Sequence, residues 1–543
     1  MERFFNNTKK LIFHRQKDIL SSALILASMI IVSRFFGFIR YRTLATFFTK
    51  EELDIFFASF RLPDFVFEML ITGALSSAFI PIFIKYKKNE KDFAGNISSI
   101  INLISGSLFV VVVFLFLTAG FIIPKITPGF DREVMSTVIT LSQILLLTQL
   151  PLLVFGNILS GIGQANKIFI ITAIAPVLYN VGIILGTIFF SQQFWLYGPI
   201  MGVVVGAILF FAMQLPIISI THFRFIPFVF EKQAIKEFIG LFVPRVMSVM
   251  TAQIDITIDL TLSTLLGAGN YTIFFFSQSL QLLPVSVIGM AFGQASLPYI
   301  SELFKADKLL EIRRIIIDSI LQLFYVSIPF SFFLIFSRTP LVRLVFGGPK
   351  FDWVGTNLTA LTVSIFAISI PAHTIFYFLT RTFYAAHDTK TPFYINVVSI
   401  LINTSISIFG VLVLHLPVWS LALAFSVSMI INTLLHLIFL FKKVGGLDVR
   451  KLFSHTIKIY WISFIASIVG YFSMRFLDIF ILETTRTLHV FMLLSTTLAI
   501  YMGMYVFLSW FFSIEEIYVW GKLLVKIDSL KRKVLELYTG VGS

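Results

Sequence analysis

Five arginines lie inside hydrophobic stretches of this chain, where a charged side chain is costly. They are Arg34, Arg40, Arg42, Arg61 and Arg245, and the first four fall within one short block, SRFFGFIRYR followed by ASFRLPDF. A charged side chain at the centre of a bilayer costs about 2.5–3.5 kcal/mol on insertion scales. These arginines therefore cannot face hydrocarbon. They indicate a watery cavity, and a cationic cavity within a membrane predicts an anionic passenger.

The first predicted helix, residues 21–48, has one face that could contact a substrate. Arg34, Gly37 and Tyr41 share that face at i, i+3 and i+7 spacing, and Arg40 flanks it. Arg34 lies about 20 Å along the helix, at about 1.5 Å per residue, which is near the middle of a bilayer. Gly37 lets a neighbouring helix or a ligand approach closely. Because neither arginine has an acid at helical spacing, we interpret Arg34 and Arg40 as substrate-binding groups.

The second predicted helix places four charged residues on one face. Asp54, Arg61 and Glu68 recur every seven residues, and Asp64 lies three residues after Arg61. Pro63 removes a backbone hydrogen bond and is expected to kink the helix beside them. Two interpretations stay open: the group binds substrate, or Arg61 pairs with the acids and only holds helices together.

The seventh predicted helix adds Arg245 near its cytoplasmic end, followed by Asp255 and Asp259 at i, i+4 spacing. We include Arg245 among the substrate-binding candidates. The two aspartates either pair with arginines or form a proton or cation site. Arg42 lies close to the outer interface, where its side chain can reach the headgroups by snorkelling.

The composition identifies the elements that position these groups. The 543 residues are 57% hydrophobic and only 13% charged, with a mean hydropathy of +0.92, which is typical of a polytopic membrane protein. The net charge of +14 lies in short loops rather than in a nucleic-acid-binding patch. The absence of cysteine excludes disulfides and thiolate metal sites, and no catalytic constellation or phosphate loop is present, so we do not expect an enzyme. No cleavable signal pattern precedes the first span.

We predict an all-α fold of fourteen transmembrane helices. Lysine and arginine concentrate in the loops that are cytoplasmic when the N-terminus is inside, so both termini are expected in the cytoplasm. The predicted helices occupy residues 21–48, 53–84, 97–123, 134–160, 168–190, 196–220, 237–266, 271–300, 314–337, 355–380, 392–414, 417–441, 456–474 and 488–512.

An internal repeat relates the first six helices to the next six. IFFASFRLP…GALSSAFIP (55–81) is similar to IFFFSQSLQLLP…GMAFGQASLP (273–298), and GQANKIFIITAIAPVLYN (163–180) to AHDTKTPFYINVVSILIN (386–403). Because each lobe has an even number of helices, the two six-helix lobes have the same orientation in the membrane. Substrate sites in transporters with internal repeats lie between the two halves. The predicted parts are an N-terminal lobe (1–221), an amphipathic linker (222–236), a C-terminal lobe (237–445), two extra helices (446–513) and a cytoplasmic amphipathic tail (514–543).

Three segments resemble the MurJ/MviN family, the lipid II flippases of the MOP transporter superfamily. They are SRFFGFIRYRTLATFF-x5-DIFFASFRLPD…GALSSAFIPIF, FVPRVMSVMTAQIDITID and YAAHDTKTP, within a likeness that covers residues 21–512. The resemblance implies export of the lipid-linked peptidoglycan precursor across the bacterial inner membrane by alternating access, with lipid II and membrane lipids as partners. It implies that a monomer suffices and that Arg34, Gly37, Arg40 and Asp54 serve function. Lipid II carries a pyrophosphate, which arginine binds through a two-pronged fork.

The chain departs from the family pattern at several cavity positions. Many members have an arginine where this chain has Phe67 and another where it has Ser279, with acids near Thr72 and Leu282. We hypothesise that Arg245 compensates for the missing arginines.

The family also implies a cation between helices 7 and 11, for which Asp259, Asn403 and Ser407 are the matching positions. Coupling to sodium or to the membrane potential is therefore an expectation, and no other cofactor is expected. Alternative functions are export of another polyprenyl-pyrophosphate-linked saccharide, export of drugs, or an enzyme acting on polyprenyl phosphates. Cationic drugs would favour an acidic cavity, and the short loops lack the grouped carboxylates or histidines that the enzyme would need.

Overall fold

The computed structural model describes residues 19–88, 93–484 and 486–518, and every regular element in these ranges is helical. Three π-helical stretches, Glu68–Phe79, Val285–Met290 and Phe409–Val413, interrupt the α-helices. The α-helices in chain order are α1 (Ile19–Phe47), α2 (Lys50–Ser59), α3 (Arg61–Phe67), α4 (Ile80–Lys88), α5 (Phe93–Ile126), α6 (Arg132–Leu147), α7 (Gln149–Ala165), α8 (Ile170–Phe194), α9 (Tyr197–Gln214), α10 (Pro216–Thr221), α11 (Lys232–Leu265), α12 (Asn270–Pro284), α13 (Ala291–Lys305), α14 (Leu309–Phe336), α15 (Arg338–Phe346), α16 (Trp353–Ile368), α17 (Ile370–Ala385), α18 (Lys390–Ile408), α19 (Trp419–Val444), α20 (Val449–Phe480) and α21 (Thr487–Phe511).

Eleven helices of the described residues are long and apolar enough to cross a membrane, or twelve if the bent pair α16 and α17 forms one span. The chain is thus an all-helical, multi-pass membrane protein, as the composition predicts. The first two predicted spans correspond to α1 and to the interrupted run from Lys50 to Lys88, which are not among the eleven. The number fourteen stays a prediction.

Several predicted helices are broken, and prolines explain the positions. New helices begin after breaks at Phe60, Thr148, Leu215, Ser337 and Ser369. In each case a proline lies within the first three residues of the new helix: Pro63, Pro151, Pro216, Pro340 and Pro371. Proline lacks an N–H and its ring clashes with the carbonyl four residues back, so it ends one helix and is tolerated in the first turn of the next. The kink expected near Pro63 is present.

The backbone repeats along with the sequence. The turn between α7 and α8 has Lys167 at φ 64, and the turn between α17 and α18 has His387 at φ 56. The next pair of turns repeats a positive φ as well, at Trp195 (φ 50) and His415 (φ 50). A second likeness is a π-helical stretch after Pro63 and another directly after Pro284. Residues with positive φ are uncommon outside glycine, so their recurrence at these turns agrees with the sequence repeat, while the division into two six-helix lobes stays a prediction.

The helices form two compact units. The first holds the described residues through Ile273 and adds Val345–Thr356. It therefore includes α11, which the predicted lobe boundary assigns to the second half. Its main core surrounds Phe79, Phe83, Ile100 and Val154.

Within the first unit, α8 and α9 pack closely through glycines. A Cβ on Gly182 would clash with the backbone of Gly206, and one on Gly186 with the backbone of Gly202. Small residues four apart let two membrane helices approach to backbone contact. This packing fixes α8, which carries Tyr179, against α9, and the backbone of Tyr179 lies next to that of Gly206.

The predicted linker and tail are only partly described. Residues 222–231 are irregular rather than helical, and α11 begins inside the predicted linker at Lys232. Asn102 donates to the carbonyls of Ile226 (3.2 Å) and Val229 (3.0 Å), which ties the segment to α5. Of the predicted tail, residues 514–518 are described, and the remainder lies outside the described residues, as do residues 1–18.

The second unit comprises Phe274–Leu344 and the described residues from Asn357 onward. One core surrounds Ile316, Phe378 and Leu440. The two C-terminal helices α20 and α21 pack with α14, and the buried hydroxyl of Tyr505 donates to the carbonyl of Tyr325 at 2.8 Å. At the start of α18, the Asp388 carboxylate accepts hydrogen bonds from Thr391 (3.0 and 2.8 Å) and from Lys443 (2.8 Å).

Candidate functional site

Helix α1 presents its polar face next to open space. Asn180 of α8 donates a hydrogen bond to the carbonyl of Ser33 at 3.4 Å, which fixes α1 against α8. Beside this contact, Arg34 is exposed, and a Cβ built on Gly37 would meet no atom within 4 Å. The ring of Tyr41 contacts Phe57 at 6.1 Å between centroids, which ties the end of this face to α2. On this predicted face, Arg34 and the space beside Gly37 therefore stay accessible.

Arg40 is half-buried and only partly satisfied. Its guanidinium carbon lies 4.6 Å from the centroid of the Tyr41 ring, a cation–π contact. Its Nε is buried and has no hydrogen-bond partner among the residues that the structure describes. A buried guanidinium donor without an acceptor is costly, so the site favours an incoming anion.

Arg61 is buried, with a relative exposure of 6%, and it joins α3 to α11. Its Nε donates to the Thr257 hydroxyl at 2.9 Å, and its Nη2 donates to the carbonyl (2.6 Å) and side-chain oxygen (2.9 Å) of Gln253. All three acceptors are neutral. These bonds fix the orientation of the guanidinium without cancelling its charge, which is how a preorganised anion-binding group is held.

Two acids lie near these arginines. Asp64 interacts electrostatically with Arg61, Glu68 and Arg40, and Arg61 interacts with both acids in turn. Asp64 is exposed, whereas Glu68 is half-buried. Asp64 and Glu68 thus lie near Arg61, whereas Asp54, which the spacing placed on the same helix face, bonds elsewhere. The bonds of Arg61 to Gln253 and Thr257 could not be predicted, because their partners lie far along the chain.

Asp54 belongs to a different arrangement. Its carboxylate is 1% exposed and accepts hydrogen bonds from the backbone N–H groups of Gly269 and Thr272, both at 2.6 Å. These donors lie just before and within the first turn of α12, so Asp54 caps that helix from another element. The Thr272 hydroxyl also donates to the Lys50 carbonyl at 2.9 Å. The arrangement is suited to holding helices together at this end rather than to contacting a ligand.

Arg245 follows Pro244 inside α11 and is half-buried. Its Nε is buried and, within the described ranges, has no hydrogen-bond partner. Asp255, further along the same helix, is half-buried as well. Arg245 therefore offers the same unsatisfied donor as Arg40.

The three positions considered for a cation are all buried: Asp259 at 3%, Asn403 at 2% and Ser407 at 0% exposure. Asp259 belongs to the first unit, and Asn403 and Ser407 belong to the second. All three side chains offer oxygen, the donor type that hard cations prefer. The residues that the structure describes contain no group of three or more His, Asp or Glu side chains that could hold a metal ion.

The sequence interpretation missed one polar pair in the first unit. The Gln149 side chain, 3% exposed, donates through Nε2 to the Tyr179 hydroxyl at 3.0 Å. Tyr179 packs in one cluster with Phe67 of α3, the helix that carries Arg61 and Asp64, so the pair borders the arginine-containing region. A neutral glutamine on α7 and a tyrosine on α8 show no spacing pattern that would have marked them.

Comparison with known proteins identifies a family. Residues 44–489 match the family model described as lipid II flippase MurJ. The probable lipid II flippase MurJ of Rickettsia prowazekii (strain Madrid E) is 27% identical over 397 residues, which is 71% of this chain and 77% of that protein.

Solved structures show the same fold. A lipid II flippase MurJ in an inward closed conformation superposes with a TM-score of 0.75 at 23% identity, covering 90% of this chain and 98% of that one. An inward-facing multidrug resistance MATE family transporter of the MOP superfamily superposes with a TM-score of 0.66 at 12% identity, covering 78% and 98%.

Proposed function

Because this chain belongs to the family of lipid II flippases, MurJ, we propose that it moves lipid II from the inner to the outer leaflet by alternating access, with its interior arginines binding the pyrophosphate. Three observations support the arginine role. Arg34 is exposed beside open space, Arg61 is held by neutral acceptors, and Arg40 retains a buried Nε that no described residue satisfies. The last observation carries the proposal, because an unsatisfied guanidinium donor inside an apolar chain favours an anion.

The chemistry favours a pyrophosphate over a cationic drug. Guanidinium groups bind phosphate oxygens through two parallel N–H donors, and these bonds are about twice as strong as neutral ones. A cationic drug would meet the repulsion of Arg34, Arg40 and Arg61, which the acids near them offset only in part. Another polyprenyl-pyrophosphate-linked saccharide shares the anionic group, so the experiment below must separate it from lipid II.

The orientation follows from the charge of the loops. We place this multi-pass protein in the bacterial inner membrane, with both termini in the cytoplasm, and assign its action to a monomer. The excess of lysine and arginine in the loops on the N-terminal side supports this topology. In it, the first residues of α2 and α12 lie on the outer side of the membrane.

Asp54 then belongs to the outer end of the transport path. It joins helix 2 of the predicted N-terminal lobe to the first turn of helix 8 in the predicted C-terminal lobe, through two 2.6 Å bonds. We propose that these bonds keep the outer side closed and break when it opens. Asp54 acts on conformation and not on the substrate directly.

Coupling to sodium or to the membrane potential is a further proposal. The carboxylate of Asp259, buried within the first unit, would supply an oxygen ligand of the type that a hard cation prefers. A bound cation would supply positive charge that favours one conformation over the other. Replacing Asp259 with Asn should abolish any sodium dependence of transport, and an unchanged sodium response would refute this role.

Arg245 is proposed to supply the charge that Phe67 and Ser279 lack. The buried, unsatisfied Nε of Arg245 supports this role. Replacing Arg245 with Gln should reduce lipid II transport strongly. Replacing the exposed Arg224 with Gln is the matched control and should leave transport unchanged. Intact transport with Gln at position 245 would contradict the compensation.

The experiment that tests the function is depletion of this protein in its own cells. The fraction of lipid II cleaved by an enzyme added from outside should fall while total lipid II accumulates. An unchanged accessible fraction would contradict the assignment of lipid II as the substrate. In that case, accumulation of a different polyprenyl-pyrophosphate saccharide would identify the alternative cargo.

A further inference from the structure

We propose that Tyr179, positioned by Gln149, binds the neutral saccharide portion of the lipid-linked head group, beside the arginines that bind its pyrophosphate. This inference rests on the proposed function and deepens it. It divides the recognition of one substrate between a charged set of side chains and a neutral one.

The position of Tyr179 is set by helix packing. Its helix, α8, contacts α1 through the bond from Asn180 to the Ser33 carbonyl, and contacts α9 where the Tyr179 backbone meets Gly206. These contacts allow little freedom to shift along either neighbour. Ser33 directly precedes Arg34, and Tyr179 packs in one cluster with Phe67, which ends the helix that carries Arg61. A substrate whose phosphate reaches these arginines therefore brings its next group close to Tyr179.

The side chain of Tyr179 combines an apolar ring with a hydroxyl that donates to none of the described residues. The ring packs with Phe67 against a small cluster that includes Leu153, Ala175 and Ala207. The residue is nevertheless only half-buried. Its hydroxyl accepts from Gln149, so the hydroxyl proton stays available to donate. Aromatic faces with a few well-placed polar groups are typical of ligand pockets.

Gln149 is a positioning residue. Its Nε2 fixes the Tyr179 hydroxyl at 3.0 Å, while its Oε1 is buried and lacks a hydrogen-bond partner in the described part of the chain. An unsatisfied buried carbonyl opposes folding, so this amide is not explained by stability. Replacing it with leucine should leave stability equal or higher. A loss of binding in that variant would then report the orientation of Tyr179.

A neutral ligand group fits this pair better than a second phosphate. Neither side chain carries charge, and Asp64 nearby would repel an additional anion. Sugar hydroxyls and amides both accept from a tyrosine hydroxyl and pack their apolar faces on an aromatic ring. The saccharide next to the pyrophosphate supplies both features.

Binding measured with two ligands tests the assignment. The full chain in lipid nanodiscs is titrated with lipid II and with undecaprenyl pyrophosphate, which lacks the saccharide. Tyr179→Phe should weaken lipid II binding about three- to tenfold, the size of one hydrogen bond, and leave undecaprenyl pyrophosphate unchanged. Arg40→Gln should weaken both ligands. Tyr505→Phe, which removes a buried hydroxyl bond elsewhere, is the matched control and should change neither.

A double-variant comparison tests the positioning role. Gln149→Leu should weaken lipid II binding alone, and should add nothing in the Tyr179→Phe background, because both changes remove the same bond. The inference would be overturned if Tyr179→Phe lost the same affinity for both ligands, or if this variant bound lipid II as tightly as the wild-type chain does. Failure of the wild-type chain to bind lipid II would instead overturn the proposed function, so the two failures are distinguishable.

Discussion

Replacing Asp54 should shift the protein toward an outward-open conformation. The carboxylate accepts two buried backbone N–H bonds of 2.6 Å, from Gly269 and Thr272, at the start of α12. Asp54→Ala removes both acceptors at once. The two donors regain water when the outer side opens, so the substitution destabilises the closed state selectively.

The structure sets the size of the effect. A buried donor left unsatisfied costs about 1–3 kcal/mol, so two cost about 2–6 kcal/mol. About 1.4 kcal/mol is a tenfold change in an equilibrium, and the lower bound alone predicts a shift of about 30-fold. Asp54→Asn keeps one acceptor oxygen and should give an intermediate shift.

Cysteine labelling measures this shift directly. The chain has no native cysteine, so a single reporter can be introduced without removing others. Gly37→Cys suits this purpose, because a Cβ there meets no atom within 4 Å. A membrane-impermeant maleimide added from outside should label this cysteine about 30-fold faster when Asp54 is replaced by Ala.

The control is an aspartate that the proposed topology places on the outer side and that makes no capping bond. Asp131 precedes α6, and its side chain makes no capping hydrogen bond there. Asp131→Ala should therefore leave the labelling rate unchanged. A rate for Asp54→Ala that stays within about twofold of the parent, in protein with a normal melting temperature, would refute the reasoning. Asp54→Asn supplies the same test if the alanine variant is poorly produced.

Three further outcomes are expected. Arg40→Lys should lower lipid II transport about tenfold, because lysine cannot form the two-pronged bond to phosphate, whereas Arg132→Lys at the exposed start of α6 should have no effect. Burial alone would raise the pKa of Asp388, but hydrogen bonds led by the one from Lys443 lower it from 3.8 to about 2. The stability from this pairing is therefore present above about pH 4 and is lost toward about pH 2. Asp388→Asn should lower the melting temperature at neutral pH. The difference in melting temperature between this variant and the parent should disappear as the pH falls from about 4 to about 2. Tyr505→Phe leaves a buried carbonyl of α14 unsatisfied and should cost about 1–3 kcal/mol of unfolding free energy without changing transport per folded molecule, as a melting curve and a transport assay would show.

Much of the candidate site follows from local patterns. The i, i+3 and i+7 spacing placed Arg34, Gly37 and Tyr41 on one face, and the structure keeps Arg34 exposed there with open space around Gly37. The helix breaks also follow from sequence, because proline acts on its own turn. The breaks beyond Pro63 were not predicted, although the same rule explains each of them.

The hydrogen-bond partners of Arg61 could not be predicted from such local patterns. Spacing suggested Asp64 and Glu68 as its partners, because they share its helix face. The hydrogen-bond acceptors in the structure are instead Gln253 and Thr257, which lie on α11. These neutral acceptors are 192 and 196 residues away along the chain, and they leave no trace in hydropathy or charge.

By itself, the sequence determined a multi-pass helical membrane protein with arginines inside its hydrophobic stretches, because hydropathy and helical spacing are local properties. Only the tertiary structure decided that Asp54 caps a helix that begins at Asn270, and that Gln149 orients Tyr179 near Arg40. Each of these contacts joins elements that are separate in the chain. Their geometry depends on how helices pack, and packing is set by side-chain shape along whole faces rather than by any short motif.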